Sequence, residues 1–155
     1  MDTSIVFIDT SIFISKNYHF ERSEFQSLIR LAKDDKINVV MAEITLQEIK
    51  SHIAEDTEKA IQEIQKTRSK AKILRNFSEL PLGALFEDID LCQYQEKLQQ
   101  KLESFIKNCK IKIITNNAAD IDNVFKLYFE KKAPFGEGKK KSEFPDAFVL
   151  DSLDR

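Results

Sequence analysis

The sequence predicts an α/β domain built on a parallel sheet, and three observations predict it. IVFID, at residues 5–9, is a continuous apolar run that stops on a carboxylate. A short, fully apolar run is the pattern of a strand buried on both faces, typical of parallel sheets. Phe25, Leu28, Ile29 and Ala32 then recur at helical spacing, and INVVM at 37–41 is a second apolar run. Strand, helix and strand in that order make an α/β unit. IKIIT, at 111–115, repeats the strand signature much later in the chain.

The intervening elements read as helix. Thr45 and Glu48 form a T–x–x–E pattern, the signature of a capping box. Ile49, Ile53, Ala60, Ile61 and Ile64 give an intermittent apolar stripe, which predicts a helix to about residue 74. SELPLG, at 78–83, breaks it, because Pro81 and Gly83 punctuate helices. Leu91, Tyr94, Leu98, Leu102, Phe105 and Ile106 repeat at three and four residues, a second long amphipathic helix. Ile121, Val124, Phe125 and Tyr128 mark another. A Gly- and Lys-rich loop at 131–141 leads to a last helix opening at Pro145, where a missing N–H loses no partner. The stretch of about 52–108 has no strand and a thin stripe. It reads as a helical insertion or arm within one domain covering 1–155, not as a second domain.

Composition narrows the function classes. A length of 155 residues suits one domain, since most hold roughly 50–250. With 42% hydrophobic and 32% charged residues, the chain can form a core and remain hydrated. No apolar run approaches the ~18 residues that span a bilayer. The start has no basic n-region, and Asp9 interrupts its apolar stretch, so it does not read as a signal peptide. These features predict a cytoplasmic protein without membrane association. The formal charge of −2 argues against a polyanion binder held by overall charge, so nucleic-acid affinity would come from local basic patches. Cys92 and Cys109 read as free thiols of a reducing compartment. Together with His19 and His52 they lack zinc-site spacing.

Several acids are placed for chemistry. Asp9 ends a strand, and open parallel sheets bind ligands beyond the carboxyl ends of their strands. On position alone it holds a cation or caps the following turn with Thr10 and Ser11. Glu43 and Glu48 follow the second strand. Glu48 would otherwise complete the capping box, and Glu43 would otherwise be a solvated acid favoured by the helix dipole. In SEFPDAF, at 142–148, Asp146 falls in the first turn of the last helix, a common place for an acid. Crowded carboxylates on separate elements repel one another until a divalent cation joins them, and oxygen ligands suit magnesium or manganese. Two basic segments accompany the acids. The loop at 131–141 holds five lysines and one acid, Glu137, and its position before Asp146 favours phosphate contact. Six basic residues between 59 and 75, against Glu63 alone, read as a solvated helix face.

Three stretches together resemble a PIN-domain nuclease. IVFIDTSIF (5–13) is similar to that family's first strand, ending in a metal-binding Asp with a hydroxyl residue behind it. VVMAEITLQEIKSHI (39–53) resembles the second strand and the helix carrying the family's Glu. GKKKSEFPDAFVL (138–150) resembles the Lys-rich lead-in and the Glu–Phe–Pro–Asp–Ala segment of one PIN-like subgroup. They cover about a quarter of the chain, in the family's order. The resemblance implies a three-layer fold on a parallel sheet, and Asp9, Glu48 and Asp146 as catalytic, metal-binding acids. Glu143 is a fourth candidate ligand and Glu43 a competitor to Glu48. Mg²⁺ or Mn²⁺ is the implied cofactor. RNA is the implied substrate, with DNA left open, and Ser11, Lys139, Lys140 and Lys141 are the implied nucleic-acid contacts. The implied activity is metal-dependent endoribonucleolytic hydrolysis of phosphodiester bonds. By analogy alone, the role is that of a toxin or defence effector. In the family a further strand, usually ending in another acid, follows the last helix named here and lies beside the first strand. Residues 147–155 contain no such strand. The expectation is therefore a fold lacking its C-terminal strands. Its first strand would be an apolar edge covered by a further segment, a second copy or a partner protein. That departure keeps open an alternative, a noncatalytic PIN-like module that binds nucleic acid or a partner. An aspartyl-phosphate transfer domain ranks last, since Ser11 stands where a second acid would be wanted.

Overall fold

The computed structural model describes residues 4–115, 119–136 and 143–153. Three parallel strands form one sheet in the order β1 (Ser4–Phe7), β2 (Ile37–Ala42), β3 (Lys112–Ile114). Val6 pairs with Val39, and Met41 with Ile113. The central strand β2 has neighbours on both sides, and its residues Val39, Val40, Met41 and Ala42 are all buried. Its apolar run from Val39 to Ala42 is what such a position requires. Burial on both faces of 5–9 is not what the structure shows. Among the described residues β1 has β2 as its one neighbour, Ile5 is 72% exposed, and burial is reached only at Ile8. An apolar composition does not reveal how many neighbours a strand has.

Six α-helices complete the α/β fold among the described residues: α1 (Thr10–Ser15), α2 (Ser23–Lys33), α3 (Glu43–Lys70), α4 (Leu91–Asn108), α5 (Ile121–Phe129) and α6 (Phe144–Leu153). None is long and apolar enough to cross a membrane. The short α1 had no counterpart in the sequence reading. The capping box is also corrected. β2 runs directly into α3 at Glu43, so Thr45 and Glu48 lie inside the helix rather than at its cap. α3 ends at Lys70, short of residue 74, and a 3-10 turn at Lys72–Asn76 follows.

The chain divides into two compact units, residues 1–49 with 102–155, and residues 50–101. In the first unit Phe13, Phe20, Phe25 and Phe105 bring α1, α2 and α4 together, with ring centroids 5.2 to 6.1 Å apart. Each buried ring is one of the larger single contributions to a core, and tilted or edge-on pairs add to it. A second cluster, Val124, Phe135 and Ala147 with Tyr128 and Phe144, packs α5 against α6. The same helices share a polar tie. The buried Asp151 of α6 accepts hydrogen bonds from the Asp120 N–H and the Asn123 side-chain amide at the start of α5.

The second unit holds the distal part of α3, two 3-10 turns (Lys72–Asn76 and Pro81–Phe86) and the first part of α4. Gln95 Nε2 on α4 donates to the Ala54 carbonyl on α3 at 3.0 Å. Gly83 permits a close crossing of the loop. A Cβ there would stand 2.5 Å from the Ser78 carbonyl oxygen, which no side chain tolerates.

Candidate active site

Parallel strands bring their carboxyl ends to one edge of the sheet, and the chain leaves that edge twice through acids. Asp9 lies two residues beyond β1. It is the N-cap of α1, and its Oδ2 accepts from the Ser11 N–H at 3.2 Å and from Ser11 Oγ at 2.6 Å. Asp9 is a strong N-cap by type, and the cap fixes its carboxylate while leaving it exposed. Glu43 and Glu48 leave the same edge on α3. Glu48 is half-buried, and its Oε2 accepts from Thr10 Oγ1 at 2.9 Å. The threonine itself is buried, so the contact ties α1 to α3.

Asp146 approaches from α6, in the first turn. Its carboxyl is held above its ordinary value, first by burial, then by the charges of Glu143 and Asp9. Two elements distant in sequence therefore place like charges within each other's field.

A cavity of about 350 Å³ joins these groups. Asp9, Glu48 and Asp146 line it, with Thr45 as a further polar group and Phe7 and Val149 among its apolar walls. Glu43 does not line the cavity. Five residues before Glu48 on one helix, it faces a different direction. Glu143 is outside the lining and acts on Asp146 through its charge. Ser11 is engaged with Asp9. Lys139, Lys140 and Lys141 lie outside the described residues. From sequence, Thr10 reads only as a local turn former. Its position directly after Asp9 was the signal for its second role, as the donor that fixes Glu48.

The donor set is all oxygen, the chemistry that Mg²⁺ and Mn²⁺ prefer. Burial is the first cause of the raised Asp146 carboxyl, and the charges of Glu143 and Asp9 add a repulsion that a divalent cation would relieve. On those two counts the residues fit a metal. The acids share the cavity without closing on a single point. Among the described residues no three His, Cys, Asp or Glu side chains are grouped tightly enough to hold an ion.

No curated protein and no solved structure matches the chain. A PIN-domain family model matches residues 6–154, a span that takes in the end of β1, all of β2 and β3, and every candidate acid. With the match extending over nearly the whole chain, this chain belongs to the PIN-domain family.

Proposed function

We propose that the chain is a metal-dependent endoribonuclease hydrolysing phosphodiester bonds. PIN domains are generally nucleases, usually use Mg²⁺ or Mn²⁺ and commonly bind nucleic acids. The observation that carries the reading is the meeting of Asp9, Glu48 and Asp146, from three separate elements, in one cavity. These three would hold the ion, with Glu143 beside Asp146. When bound, such an ion polarises a phosphate and lowers the pKa of water. The protein's own groups prepare the site. Ser11 and the start of α1 hold Asp9, and Thr10 holds Glu48. Lys139, Lys140 and Lys141 lead into α6 and are the proposed phosphate contacts near Asp146.

The test is cleavage of a labelled RNA with Mn²⁺ by the wild-type chain, Asp9→Asn and Asp146→Asn. Activity lost in both variants supports the reading; activity equal in all three refutes it. The spacing of the acids favours a second reading, a noncatalytic module. RNA binding with no cleavage at any Mn²⁺ concentration would establish that one instead.

A further inference from the structure

The second unit carries a run of cations that the acidic cavity does not use. Of the six basic residues between 59 and 75, Lys59 pairs with Glu55 at 3.5 Å and Asp56 at 3.8 Å, and Lys66 pairs with Glu63 at 2.6 Å. Arg68, Lys70, Lys72 and Arg75 form no ion pair among the described residues. Three of these four, Arg68, Lys72 and Arg75, line one cavity of about 190 Å³ with Ser69 and Phe86, and no carboxylate lines it.

The cavity has features of a built site. The Arg75 guanidinium lies over the Phe86 ring, 5.8 Å from its centroid. The ring steadies a long side chain that would otherwise be free in solvent. The Arg68 guanidinium donates to the Glu87 carbonyl, while its Nε is shielded from solvent and has no acceptor. Such a donor is costly until an acceptor reaches it. Arg68 and Lys70 lie in the last turn of α3, where the helix dipole favours cations. Lys72 and Arg75 lie beyond that helix, so the dipole does not account for them. Converging, unneutralised cations repel, and planar guanidinium donors match the oxygens of a phosphate.

We infer that the cavity formed by Arg68, Ser69, Lys72 and Arg75 is a phosphate subsite that takes a backbone phosphate of single-stranded RNA. The phosphate chemistry stands on the cavity alone; the choice of RNA as its source rests on the nuclease reading.

The full chain is titrated against a fluorescent single-stranded RNA by anisotropy, in EDTA, across a salt series. Binding is read without cleavage, so failure of the acidic site leaves the measurement intact. Arg68→Gln/Lys72→Gln/Arg75→Gln should lower affinity at least fivefold at low salt and make the log–log salt slope shallower by about 0.7, the single-strand increment for one phosphate. Lys72 is exposed. Lys72→Gln alone should therefore fold normally, and its slope should shift in the same direction if the triple variant does not fold. Affinity and slope unchanged in the variants overturn the inference. Displacement of RNA by inorganic phosphate at equal phosphate concentration would assign the cavity to free phosphate and overturn the RNA assignment. Loss of binding to phosphatidylserine vesicles with RNA binding intact would assign it to a membrane surface and overturn it equally.

Discussion

Replacing Thr10 by valine removes one hydrogen-bond donor and almost no volume. The hydroxyl is buried, and it gives its proton to Glu48 Oε2 at 2.9 Å. A hydrogen bond to a charged group contributes about 1.5–3 kcal/mol. Glu48 is only half-buried, so water recovers part of this, and a loss of about 1–2 kcal/mol is expected. For a chain of this size that is a fall in Tm of roughly 3–6 °C. Urea unfolding of Thr10→Val, Glu48→Gln and the double variant isolates the pair, and the coupling energy should be about 0.5–1 kcal/mol or more. Thr10→Ser keeps the donor and should keep the coupling. Thr10→Val should also weaken Mn²⁺ binding, because Glu48 is no longer held toward the cavity. A coupling energy within about 0.3 kcal/mol of zero would refute the claim that this contact joins α1 to α3 energetically.

Asp9→Asn should leave stability nearly unchanged, since asparagine caps a helix about as well as aspartate. Calorimetry should nonetheless show weaker Mn²⁺ binding, and unchanged affinity would remove Asp9 from the site. Asp146 has a raised carboxyl pKa, so the folded state holds its proton more tightly and stability falls as pH rises through the range just above 3.8. Asp146→Asn should flatten that part of the pH–stability curve and stabilise the protein at neutral pH by less than about 1 kcal/mol, solvent screening limiting the gain. Urea melts across the pH series check this, and identical curves count against it. Burial pushes the Cys109 thiol up to about 11, whereas Cys92 is exposed. A thiol reagent at neutral pH should titrate Cys92 quickly and Cys109 only on unfolding. Ile5 is exposed on β1, so Ile5→Lys should change stability by less than about 0.5 kcal/mol; a larger loss in urea melts would show that the residue is covered in solution.

β2 was legible because a strand flanked on both sides must be apolar throughout, and residues 37–41 are nearly so. β1 has a similar composition in a different position, and composition carries no record of sheet order. The six residues of α1 are too few for a helical period to register, and its cap was the only local sign of it. Thr45 and Glu48 fit a capping box or a helix interior equally well. The absence of any loop between β2 and α3 decides, by starting the helix at Glu43. Five residues apart on that helix, Glu48 lines the cavity and Glu43 does not. Asp9 and Asp146 were found through their order and neighbours, yet their mutual repulsion is a property of folded geometry alone. In the basic run, sequence does not distinguish the six cations, whereas among the described residues side-chain reach separates two with ion pairs from four without.

The carboxylate of Asp151 sets the rotational phase of α6. Five residues separate it from Asp146, about 140° around the helix at 3.6 residues per turn. One carboxylate is locked onto the start of α5, and the other is thereby aimed into the acidic cavity. Side chains between them can change size within the packing available, but their number cannot change. A single inserted or deleted residue would swing Asp146 by about 100° and withdraw it from Asp9 and Glu48 while the helix itself stayed intact. The spacing of these two aspartates thus acts as a gauge for the site, one that tolerates substitution and fails on any change of length.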